Sequence, residues 1–184
     1  HALKLESAAD SPAPASTIFA NTGLIPSATT ITAGIETVDF AVNHAWATGD
    51  VVRVSASVGG LTAGANNFAR VIDVDTISFY DTAAHASAGG TTGLRNLTLA
   101  ITATVYKVDL ASTEDTVTFN PSHGFATGDI VTPTATSGGL TGGTAYTLYN
   151  VSGDTFSFHT ASPTADNKVN LTANITTNIN ERLD

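Results

Sequence analysis

The residues best placed to do chemistry in this chain come in matched pairs. His44 and His123 each stand four residues ahead of a Thr-Gly-Asp triplet, Thr48-Gly49-Asp50 and Thr127-Gly128-Asp129. An imidazole at such a point can bind a metal or shuttle a proton. Those roles need further ligands or a base and nucleophile nearby, and neither histidine has a second His at ligand spacing. Each ring is therefore expected to hydrogen-bond across its loop and order it. Gly49 and Gly128 are expected at positive φ in tight turns, with the Asp50 and Asp129 carboxylates capping nearby backbone N–H groups. Asp73, Asp75 and Asp81 offer oxygen ligands of the kind calcium takes, but Ser152, Asp154 and Thr160 hold the equivalent places further on, so calcium is a candidate for the first half only. No carboxylate pair is marked out for glycoside hydrolysis, and no serine lies in a nucleophile-elbow context. The expectation is a non-enzyme without metal or cofactor.

These pairs belong to a longer repeat. Thr37 to Phe79 aligns without a gap on Thr116 to Phe158 at an offset of 79, the distance from His44 to His123. Asn96-Leu97-Thr98 is answered by Asn170-Leu171-Thr172 at an offset of 74, so the second copy has a loop shorter by 5 residues after Phe158. Glycines, turn residues and apolar anchors coincide while solvent-type positions drift, which is the mark of a duplicated fold.

Alternation of Val38 and Phe40 with polar neighbours, short strands at Val51 to Val54, Val71 to Val74 and Thr76 to Tyr80, and a closing strand at Leu97 to Thr102 read as an all-β protein of two tandem small barrel or sandwich repeats. The expected division is an extended N-terminal arm over residues 1–35, repeat 1 over 36–105, a linker over 106–114, and repeat 2 with a short tail over 115–184. Pro12, Pro14 and Pro26 bar a sustained helix from the arm. The arm, with a short strand expected at Ser16 to Ala20 and no obvious partner in its own chain, reads either as a disordered leader or as a segment that docks on a neighbour.

Composition agrees. Thr and Ser total 45 of 184 residues, and charged residues are only 12%, a balance suited to β surfaces. A net charge of −9 offers nucleic-acid phosphates little to bind. With no Cys, disulfides and thiolate chemistry are excluded. No run reaches the length of a membrane span, and the four Asn-x-Ser/Thr sequons, at Asn96, Asn150, Asn170 and Asn174, are about what 12 asparagines give by chance. With no Met anywhere, His1 reads as a processed or trimmed start.

The pattern His-Gly-Phe-x-Thr-Gly-Asp-x-Val, then Gly-Gly-Leu-Thr-x-Gly, then Asp-Thr-Phe-Ser-Phe, at His123 to Val131, Gly138 to Gly143 and Asp154 to Phe158, resembles a module of bacteriophage virion proteins. That module is similar to the small β-barrel called the first catalytic cysteine half domain of ubiquitin-activating enzymes. Repeat 1 departs from the pattern at Ala45 and Trp46, where Gly and Phe are expected. The resemblance implies a virion structural protein, a capsid decoration or cement component in preference to a tail part, located on the particle and partnered by other virion proteins and copies of itself. The alternative is a carbohydrate- or cell-surface-binding module. That role needs exposed aromatics to meet host glycans, and Trp46 and Phe125 are the first candidates to face a ligand, with Tyr80 and Tyr146 behind them.

Overall fold

The structure, a computed structural model, describes residues 16–18, 23–111, 115–119 and 124–181. In chain order its elements are β1 (Ser16–Ile18), β2 (Pro26–Thr30), β3 (Thr37–Phe40), β4 (Val51–Val54), β5 (Asn67–Val71), β6 (Thr76–Tyr80), α1 (Ala83–Ala88), β7 (Val105–Lys107), β8 (Thr116–Thr118), β9 (Ile130–Pro133), β10 (Tyr146–Ser152), β11 (Thr155–His159), a 3₁₀ turn at Ala165–Asn167 and β12 (Ile179–Glu181). The fold is all-β, and α1, of 6 residues, is the one α-helix among the described residues. The chain divides into two compact units, Asn21–Asp109, and Leu110–Asp184 together with His1–Ala20. They are called the first and second unit below.

Each unit is one antiparallel sheet of 6 strands, in the order β2-β3-β6-β5-β4-β7 in the first and β1-β8-β11-β10-β9-β12 in the second. The two orders are the same order. In the first unit Leu24 and Val105 exchange both backbone hydrogen bonds at 2.8 Å, so the residue leading into β2 pairs with β7 and the sheet closes into a barrel. Gly23 makes this approach feasible, because a Cβ there would run into the Val105 carbonyl.

The cores follow from the repeat. Val38, Phe40, Val52, Leu61, Ile77, Phe79, Leu97, Ile101 and Val105 are buried in the first unit. Val117, Phe119, Val131, Leu140, Phe156, Phe158, Leu171, Ile175 and Ile179 fill the same positions in the second. Period-2 alternation places the strand-borne members of these sets on one face, so a one-residue slip would expose them together. Ala69 and Asn67 stand where the second unit has Leu148 and Tyr146, which makes the first core the thinner.

Three expectations about elements are corrected. The N-terminal stretch, read as having no partner in its own chain, supplies it two strands: β2 pairs with β3, and β1, on the short strand expected at Ser16 to Ala20, pairs with β8 of the second unit. Leu97 to Thr102 is irregular rather than a strand; Leu97 and Ile101 plug the core from a loop, and the closing strand is β7, two of whose residues had been read as linker. Finally, the chain turns at residues 72–75, where the Ile72 N–H reaches Thr76 O at 3.0 Å, so Val74 lies in the turn and not in a strand. Residues 1–15 and most of the expected linker tip, 112–114, lie outside the described residues.

Candidate functional site

The Thr-Gly-Asp loops are built alike. Gly49 lies at φ 97° and Gly128 at φ 100°, a region that side chains disfavour. The Ala47 N–H donates to Asp50 Oδ2 at 2.8 Å, and the Ala126 N–H to Asp129 Oδ2 at 2.7 Å. Thr48 Oγ1 and Thr127 Oγ1 then accept from Val71 N and Asn150 N, fastening each loop to the strand beside it. In the first unit Lys107 Nζ lies 3.0 Å from Asp50 Oδ2 and 3.4 Å from Asp109 Oδ1. Partial burial lowers the lysine pKa, but these two carboxylates outweigh it and the net shift is upward.

His44 acts as a brace. Its Nδ1 accepts from the Trp46 N–H at 2.9 Å, so Nε2 carries the proton and donates to the Asp73 carbonyl at 3.1 Å. The His44 N–H also donates to Val74 O at 3.1 Å. One imidazole thereby ties the loop after β3 to the β5–β6 turn. His123 lies outside the described residues.

Ala45, which takes the place of Gly124, sits at φ 53° against 78° for that glycine, so the loop keeps its left-handed residue despite the side chain. The expected ligand-facing aromatics are spent on packing. Phe125 is 8% exposed and meets Phe119 edge-on at 5.0 Å, while Trp46 is half-buried and meets Phe40 in the same way at 5.3 Å. Tyr80 and Tyr146 are buried as well.

The three acidic residues considered for calcium do not converge. Asp73 and Asp75 lie at the turn before β6 and Asp81 follows the end of that strand, roughly 17–20 Å away at the usual rise per residue. Asp73 Oδ1 accepts from the Asp75 N–H, and this bond is the main cause that lowers its pKa. Asp81 pairs with His85 Nδ1 at 2.6 Å, which lowers its pKa in turn. Among the described residues no group of three His, Asp or Glu side chains could hold a metal.

One constellation escaped the sequence reading. Ser157 Oγ lies 2.9 Å from His159 Nε2, and His159 Nδ1 lies 2.8 Å from Asn167 Oδ1. Asn167 donates its Nδ2 to Ser162 O, which fixes the orientation of its amide. The order resembles a hydrolase relay, yet Ser157 and His159 are fully buried, and the chain holds the 3₁₀ turn against β11. The signal was Ser-x-His in a strand, which places both side chains on one face; Asn167 could not be assigned without the loop geometry.

A more suggestive feature lies at one end of the first unit. Ile25 (68% exposed), Val42 (55%), Ile72 (51%) and Val74 (64%) stand at the same end of the neighbouring strands β2, β3, β6 and β5. The second unit has Pro121, Val151 and Gly153 at the positions of Val42, Ile72 and Val74, so the repeat does not impose this apolar end. His44 braces the two loops that carry those three residues. No family model, curated protein or solved structure matches the chain.

Proposed function

We propose that the protein is a structural component of a bacteriophage virion, an exterior capsid decoration or cement protein that docks in many copies on a symmetric lattice. The observation that carries this reading is the apolar end of the first unit. Val42, Ile72 and Val74, held in water by a braced pair of loops with Ile25 at the same end, are costly to leave uncovered, and exposed apolar surface of this kind marks an interaction surface. The loop pattern that resembles virion modules supplies the kind of partner, a capsid surface. Lattice symmetry multiplies a modest contact over many copies. Phe125, Tyr80 and Tyr146 are buried, which leaves the glycan-binding alternative with the half-buried Trp46 alone as an aromatic contact.

The test is a double substitution, Ile72→Ser with Val74→Ser, in a turn with little packing to lose. The variant is expected to fold as the parent does and to lose co-sedimentation with particles lacking the native protein. Undiminished sedimentation would remove the apolar end from the interface.

A further inference from the structure

The two units share one register, which makes any place where they differ in shape informative. At one such place the second unit is filled and the first is hollow. Tyr146 opens β10 opposite Val131, as Asn67 opens β5 opposite Val52. The Tyr146 ring packs edge-on against Phe158 at 6.1 Å, and its Oη accepts from the Thr141 N–H at 2.9 Å. In the first unit the phenol is absent, and Thr62, the counterpart of Thr141, has no such acceptor for its N–H. A second position changes with it. Val169 donates its N–H to Phe158 O at 2.8 Å, and Arg95 donates its own to Phe79 O at 2.8 Å, so Arg95 occupies the place of that valine.

A tyrosine and a valine have thus become an asparagine and an arginine, and a cavity of about 130 Å³ remains, lined by Gly60, Leu61, Thr62, Ala65, Asn67 and Arg95. Arg95 Nε donates to Asn67 Oδ1 at 3.0 Å, and Asn67 Nδ2 donates to Ala65 O at 3.2 Å. The asparagine is satisfied and holds the guanidinium by one edge. Among the described residues the terminal Nη1 and Nη2 meet no hydrogen-bond or ion-pair partner. Asp81, which acts on Arg95 from a distance, is itself bound to His85.

We propose that this cavity binds a small monocarboxylate. A guanidinium anchored through Nε presents two parallel N–H groups, the geometry that a planar carboxylate accepts in bidentate fashion. The Thr62 N–H, which in the sister unit meets a phenolic oxygen, supplies a third donor for an oxyanion at the same place. Leu61, Gly60 and Ala65 wall the site with apolar surface suited to a short carbon stem. One guanidinium matches one negative charge, whereas a phosphate dianion would enter a protein of net charge −9 with half its charge unanswered.

The intact protein is titrated with sodium acetate while backbone amide resonances are followed, with sodium chloride at equal ionic strength as the control and inorganic phosphate as a competing anion. Saturable shifts confined to Gly60 to Thr62 and Arg95, absent with chloride and weaker with phosphate, are expected. Asn67→Tyr, which rebuilds the arrangement of the second unit, is expected to abolish the shifts and to unfold at no lower temperature than the parent. Arg95→Gln keeps the bulk and removes the charge, and is expected to weaken acetate at least about tenfold. Absence of a saturable acetate response, tighter binding of phosphate than of acetate, or acetate binding that survives either substitution would overturn the assignment.

Discussion

Ala45 is the residue at which the duplicated loop pays most visibly for divergence. At φ 53° it occupies a conformation that costs a non-glycine residue about 1–2 kcal/mol. Glycine would relieve this but would return about 0.4–1 kcal/mol through the greater freedom of the unfolded chain. Ala45→Gly is therefore expected to stabilise by roughly 0.5–1 kcal/mol, and Gly128→Ala to destabilise by about 1–3 kcal/mol, since a Cβ at Gly128 meets nothing within 4 Å and only backbone strain acts. Denaturant midpoints measure both, and a lower midpoint for Ala45→Gly would contradict the assignment. Lys107 gives a pH dependence of definite sign. Its pKa is raised in the folded state, so its contribution is full below the unfolded value near 10.5 and is lost as pH rises through the higher folded value. The parent is expected to lose its advantage over Lys107→Met only in that alkaline range, by no more than about 1 kcal/mol for a partly exposed pair. Thermal melts at neutral pH and above pH 10.5 would check this, and a difference that widens with alkalinity would contradict it.

At the scale of elements the sequence disclosed the interior more readily than the edges. Val38, Phe40, Val52 and Phe79 and their counterparts lie buried where matched spacing placed them because each sits on one face of a paired strand, and Leu61 and Leu140 plug the same cores from the Gly-Gly turns. The turns at Gly49-Asp50 and Gly128-Asp129 were legible because positive φ and a capping carboxylate restrict residue type. Strands with a full ladder on one side only leave weaker traces, since alternation matters less there. Hence β2, with the pattern Pro-Ser-Ala-Thr-Thr, read as leader, and β7 read as linker. Leu97 and Ile101 misled in the opposite sense: they are anchors as apolar as any in a strand, but a loop delivers them. The cavity beside Arg95 could not be read at all, for it depends on Asn67 and Arg95, which are distant in sequence and meet only in the fold.

At the scale of the whole molecule the second unit draws one of its outer strands from a distant part of the sequence. The 79-residue offset carries β2 onto residues 105–109, yet residues 105–107 are already β7 of the first unit, whose own counterpart at an offset of 74 is β12. The place that β2 takes beside β3 is taken beside β8 by β1, which precedes the first repeat in sequence. Its register repeats that of β2: Thr17 faces Val117 as Thr29 faces Val38. The edge of β8 is thus a strand-accepting edge, satisfied by a segment about 100 residues away in sequence. Removal of residues 1–20 is expected to leave β5 and β6, whose ladders do not involve β1, with parental hydrogen-exchange protection while the amides of Thr116 to Thr118 lose theirs. A synthetic peptide of residues 11–20 should restore that protection only near millimolar concentration, because a tethered strand of this kind enjoys an effective concentration of that order. Unchanged protection of β8 in the truncated protein would show that β1 does not hold this edge.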